Sequence, residues 1–157
     1  MDNSRFYEAI KKITIEYKHE TISNKTNEFF IRHELPKELV QFFETHSYDR
    51  TIKFRHNSFY RINDIPEENS DFPNEKCIQN NLLIIGYGLN GDYIVLNLNT
   101  QTIGYIFHDD LYENEEIDIK DIYINMDCSL GDFFYNSINT EDFPVDGFQA
   151  EKYINKD

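Results

Sequence analysis

The chain has no tryptophan, and in 157 residues it has only two cysteines, two methionines, four prolines and six glycines. Without Trp, the large side chains of a core have to come from Phe and Tyr, and both are plentiful, at 13 and 11. Cys77 and Cys128 match no metal-ligand spacing. One disulfide between them is possible, but two reduced, partly buried thiols are the simpler reading. No internal repeat and no low-complexity segment is present. Long apolar runs are missing too. The longest, Leu82 to Ile85, falls far short of the roughly 20 residues a membrane span needs. The opening MDNSRFYEAIKK lacks the basic stretch followed by an apolar one that marks a secretory signal. With a length ordinary for one domain, these features lead us to expect a single domain over 1–157, working in the cytoplasm without a membrane.

Positive charge is scarce in one part of the chain only. Residues 1–61 carry eleven Lys and Arg against nine Asp and Glu, a net of +2. Residues 62–157 carry four against twenty, a net of -16, and the whole chain stands at -14. The steepest stretch is Asp109 to Asp121, where Asp109, Asp110, Glu113, Glu115, Glu116, Asp118 and Asp121 face Lys120 alone. Such a field repels nucleic acid and anionic lipid and attracts a basic protein. The plainer alternative is that it keeps the chain soluble.

Apolar spacing predicts helix over 4–17, with Phe6, Ile10, Ile13 and Tyr17 on one face and Ser4 as its cap. A second helix spans about Thr26 to Glu34, capped by Asn24 or Thr26. Pro36 then opens a third that buries Leu39, Phe42, Phe43 and His46. From Tyr48 the period drops to two. Ile52, Phe54 and His56 alternate as a strand, Phe59 to Ile65 forms another, and 66–77 reads as a surface loop. Three strands come next, at Leu82 to Tyr87, Asp92 to Leu98 and Thr102 to His108, the last two joined by a short turn. After an acidic loop, Ile119 to Ile124 suits one more strand. Ser129 with Asp132 caps a helix bearing Leu130, Phe133, Phe134 and Ile138. Helices, then strands on short turns, then a helix, is an α+β order.

Most catalytic motifs fail on context. Gly86 to Gly91 spells GxGxxG, but residues 92–98 alternate as a strand, so there is no helix N-terminus to hold a pyrophosphate. The kinase motifs that would accompany a glycine loop between strands are absent, and so is a GxSxG elbow. His108 with Asp109 and Asp110 could be drawn as a metal site, yet no EF-hand spacing is present. The five histidines are scattered, with no HExxH and no Cys–His cluster. No cofactor and no enzymatic activity are expected.

Three segments together resemble the SUKH superfamily, which includes fungal cell-wall synthesis regulators and many bacterial immunity proteins. They are Leu35-Pro36 followed by Leu39, Phe42 and Phe43; Ile84-Ile85-Gly86 through Gly91-Asp92-Tyr93-Ile94-Val95-Leu96-Asn97-Leu98; and Ser129-Leu130 with Phe133 and Phe134. The chain departs from the pattern at His46-Ser47-Tyr48, where an Asn-Gly step is common, and in having no Trp. The resemblance runs from about Phe6 to Ile138 and implies a SUKH-like fold with its core in about 6–138 and a tail over 139–157: N-terminal helices, a central twisted, mainly antiparallel sheet and a C-terminal helix. It also implies an immunity protein that binds and blocks a cognate, nuclease-like toxin. The alternative is a regulatory or scaffold module with an endogenous partner. Steering by charge favours a basic partner. Asp109, Asp110, Glu113, Glu115 and Glu116 are the expected contacts, with Asp92, and Tyr87 and Tyr112 are the anchors to consider beside Tyr93. Tyr105, on a face with Ile103 and Phe107, is expected to serve sheet packing instead.

Overall fold

The computed structural model describes residues 1–155. It is an α+β fold in which N-terminal helices, a six-stranded antiparallel sheet and C-terminal helices follow one another. The helices α1 (Asn3–Ile10), α2 (Asn24–Arg32) and α3 (Lys37–Thr45) precede a meander. Its strands are β1 (Ile52–Phe54), β2 (Asn57–Phe59), β3 (Leu82–Tyr87), β4 (Tyr93–Asn97), β5 (Ile103–Ile106) and β6 (Tyr123–Asn125), lying in the sheet in chain order. Short helices α4 (Ile65–Glu68) and α5 (Glu75–Gln79) connect β2 to β3, and α6 (His108–Glu113) comes after β5. Helices α7 (Leu130–Asn139) and α8 (Gly147–Ile154) close the chain.

Alternation along the central strands sends side chains to two cores. Leu83, Ile85, Ile94, Leu96, Ile103 and Tyr105 join the larger one, beneath helices that include α1, α3 and α7. Leu82, Ile84, Val95 and Ile106 face the other way, into a smaller core closed by Cys77, Leu111, Ile119 and Ile122. With apolar side chains on both faces, β3 reads as a continuous apolar run. Phenylalanine fills the larger core. The Phe6 ring meets Phe42, His46, Phe54, Phe59 and Phe134 at centroid distances of 4.6 to 5.8 Å. The two cysteines are free, one in the smaller core and one packed against the larger.

Several expected boundaries move. Helix α1 stops at Ile10 rather than 17, because the run Ile13-Thr14-Ile15 is β-branched. Its cap is Asp2, whose carboxylate accepts from Arg5 N–H, and α2 is capped by Ser23. Phe59 to Ile65 is not one strand; β2 ends at Phe59, and a 3-10 turn at Ile62–Asp64 leads into α4. The segment 66–77 is partly helical. Asn69 anchors it by donating to Ile84 C=O and accepting from Ile84 N–H, both within 2.9 Å, so a side-chain amide stands in for a strand beyond the end of β2. His56 sits exposed in the β1–β2 turn. Residues 139–155 pack on the domain, partly as the short helix α8. Phe143 and Ala150 are buried in the larger core, and Asp146 caps α8.

Candidate functional site

The smaller core carries the surface on which the sequence-predicted contact residues gather. Asp109 to Asp121 is not a solvated loop. Leu111 on α6 and Ile119 on a 3-10 turn are buried against the sheet, and Ile122 follows them in. The acids therefore stand on an anchored frame. Asp109, Asp110, Glu113, Glu115, Glu116, Asp118 and Asp121 are all exposed. Lys76 on α5 ties the frame down by donating to Glu115 C=O at 2.7 Å and Ile117 C=O at 3.1 Å. Those bonds use its charge on carbonyl oxygens. Among the described residues, no salt bridge engages Asp110, Glu113, Glu115, Glu116, Asp118 or Asp121.

Asp92 is placed elsewhere than the sequence suggests. It is 2% exposed, and its carboxylate is fully engaged by its own chain. Oδ1 accepts from His108 N–H at 3.1 Å and lies 2.8 Å from His108 Nδ1. Oδ2 accepts from Gly147 N–H at 2.9 Å and Asn90 Nδ2 at 3.2 Å. Asp92 is thus a brace joining the glycine turn, the start of α6 and the start of α8, and a partner has no access to it. A buried carboxylate is stable only with donors of this kind around it. On its other side His108 Nε2 reaches Asp109 at 3.1 Å. The glycine turn itself links two strands, as expected, with Gly91 at φ +92°. Gly88 packs so closely on Val145 that a Cβ there would lie 2.2 Å from its carbonyl oxygen.

Four tyrosines run along the same face of the sheet. Tyr60 and Tyr87 have ring centroids 5.5 Å apart, and Tyr87 pairs with Tyr93 across β3 and β4. The Tyr93 hydroxyl lies 3.0 Å from that of Tyr112, which donates to Asn74 Oδ1 at 3.0 Å. Asn74 Nδ2 in turn donates to Tyr93 at 3.1 Å and to Glu68 C=O at 3.0 Å. Burial raises the Tyr93 phenol, and the hydrogen bond with Tyr112 adds to the effect. Burial likewise raises Tyr60 and the nearby Glu68 carboxyl. Tyr112 stays 53% exposed, and Tyr60, Tyr87 and Tyr93 are half-buried. Tyr105 lies on the opposite face, fully buried, its hydroxyl donating to Asn57 Oδ1 at 2.6 Å.

The surface thus combines a fixed acidic rim with a row of aromatic rings, each with an apolar body and a polar tip. Tyr60, Glu68 and Asn74 escaped the sequence reading because β2, α4 and the chain before α5 meet only in the fold. Among the described residues, no group of three or more His, Cys, Asp or Glu is arranged to hold a metal ion. No described helix is long and apolar enough to cross a membrane. Compared with family models, curated proteins and solved structures, the chain matches none.

Proposed function

We propose that this chain is an immunity protein of the SUKH type, which binds and neutralises a basic, nuclease-like toxin of a polymorphic or contact-dependent system in the bacterial cytoplasm. One observation carries the reading: a strip of exposed carboxylates from Asp110 to Asp121 with no salt-bridge partner among the described residues, held on a frame anchored by Leu111, Ile119 and Ile122. Fixed charge steers association and loses little freedom on docking. Nuclease clefts are basic because they hold phosphate, so an acidic rim is complementary to them. Tyr112 and Tyr87 offer rings beside that rim, and tyrosine is among the residues that dominate interface energetics. The protein on this reading blocks chemistry and performs none.

The test is co-expression with the C-terminal domain encoded by the neighbouring large open reading frame. Rescued growth and a stoichiometric complex on co-purification are the expected results. A neighbour that is harmless, or that kills regardless of this chain and does not bind it, would move the regulatory-scaffold reading ahead.

A further inference from the structure

We infer that the free edge of β1 is a second docking site, which takes an extended, acidic peptide segment of another protein by strand addition. It lies at the opposite edge of the sheet from β6 and takes a different ligand from the acidic rim, although Tyr87, which lines it, also belongs to the tyrosine row of the toxin reading.

The backbone comes first. Tyr60 N–H donates to Ile85 C=O, so in β2 the amides of Tyr60 and, two residues earlier, Ser58 point toward β3. Ser58 is the partner of Lys53 in the β1–β2 register. Their pair is therefore not hydrogen-bonded, and the Lys53 N–H and C=O point out of the sheet. Among the described residues, no backbone hydrogen bond joins residues 12–15, which run alongside, to residues 50–55. The edge is open.

Its walls set the chemistry. Two neighbouring cavities of about 270 and 180 Å³ share Ile13, Ile15 and Lys53 in their linings. Arg50 and Tyr87 line the larger, Lys12 and Arg55 the smaller, and no carboxylate lines either among the described residues. Arg50 is 3.4 Å from Asp49, while Lys53 and Arg55 have no carboxylate within salt-bridge reach among the described residues. In a chain of net charge -14 this is a local reversal of sign. Ile15, 57% exposed, supplies apolar surface beside it.

An edge lysine discourages apolar and basic strands, whose approach strands or repels its charge. An acidic strand gains from it, with backbone bonds giving affinity and alternate side chains giving selectivity. Nucleic acid is disfavoured, because the field of the whole molecule repels phosphate and an outward N–H and C=O match a peptide.

The probe is a fluorescein-labelled peptide of alternating valine and glutamate, capped at both ends and followed by anisotropy. It should bind saturably, and a valine–lysine counterpart should not. Lys53→Ala keeps the outward N–H, whereas Lys53→Pro removes it. The proline variant should bind about tenfold more weakly than the alanine variant. Arg50→Glu with Arg55→Glu should abolish binding. Should Lys53→Pro fail to fold, hydrogen exchange on the unaltered protein replaces it: the Lys53 amide, fast when free, should become protected by the peptide. Equal binding by the proline and alanine variants, an unprotected Lys53 amide, or no binding of the acidic peptide would overturn the proposal. So would sedimentation showing that the protein alone dimerises through this edge, since the occupant would then be a second copy.

Discussion

Asn57 shows how much a single polar side chain can hold in this protein. It is 1% exposed, accepts from the Tyr105 hydroxyl, and donates to Ser137 Oγ at 3.0 Å and Pro144 C=O at 2.9 Å. One amide therefore ties β2, β5, α7 and the chain before α8 together. Asn57→Leu strands those groups in the core and should cost about 3 kcal/mol, read from urea denaturation. Tyr105→Phe, which leaves Asn57 its other partners, should cost about 1 kcal/mol. His46 gives a pH dependence at the same scale. Burial pushes its imidazole down from 6.5 to about 4. As pH falls below 6.5 the unfolded chain takes up a proton that the native state refuses until about 4. Stability from this group is complete above that window, falls through it and levels off below, a loss of about 3 kcal/mol. His46→Asn, whose amide oxygen can take the place of Nδ1 beside the Tyr48 hydroxyl, should flatten this limb in melts between pH 7 and pH 4.

Among the elements, the bend in β3 is the most exacting. The register shifts between Ile84 and Gly86, so Ile85 is the extra residue of a bulge. A Cβ on Gly86 would lie 1.8 Å from the Ser58 carbonyl oxygen, which is backbone and cannot swing aside. Gly86→Ala should therefore cost about 3 kcal/mol in a urea titration and loosen β2 from β3, seen as faster exchange of the Tyr60 amide. The continuous apolar run from Leu82 made this strand legible in the sequence, and the Ser129 cap of α7 was equally plain, its hydroxyl accepting from Asp132 N–H at 3.1 Å. Elements α4, α5 and α6 were not legible. Each runs only four to six residues, too short for a helical period to show, and each is held by tertiary contacts such as Asn69 to β3 and Leu111 to the smaller core.

Over the whole molecule, charge is the dominant long-range term. A net charge of -14 repels itself in the compact state, so raising NaCl from near zero to about 150 mM should raise the melting temperature. The acidic rim also makes a kinetic prediction. Changing Asp110, Glu113, Glu115 and Glu116 together to Lys should slow association with the toxin by about tenfold or more and flatten its salt dependence, measured by stopped flow. An unchanged rate would reduce the rim to a solubility feature. The same variant should leave peptide binding at β1 intact, which separates the two proposed surfaces.

The residues alone determined the class of fold, the three central strands with the hairpin between the last two, the cap of α7 and the concentration of negative charge after residue 61. These depend on local period, turn chemistry and composition, which act over a few neighbours or none. Only the tertiary structure decided which polar groups are buried and which rings share a face. Asp92 reads as one more acid in an acidic half, and becomes a brace because His108 and Gly147 converge on it. Tyr60, Tyr87, Tyr93 and Tyr112 are up to 52 residues apart in the chain and become one row because antiparallel pairing and the seat of α6 bring them together. A carboxylate's burial and a tyrosine's neighbours are set by contacts between distant segments, and no local pattern encodes them.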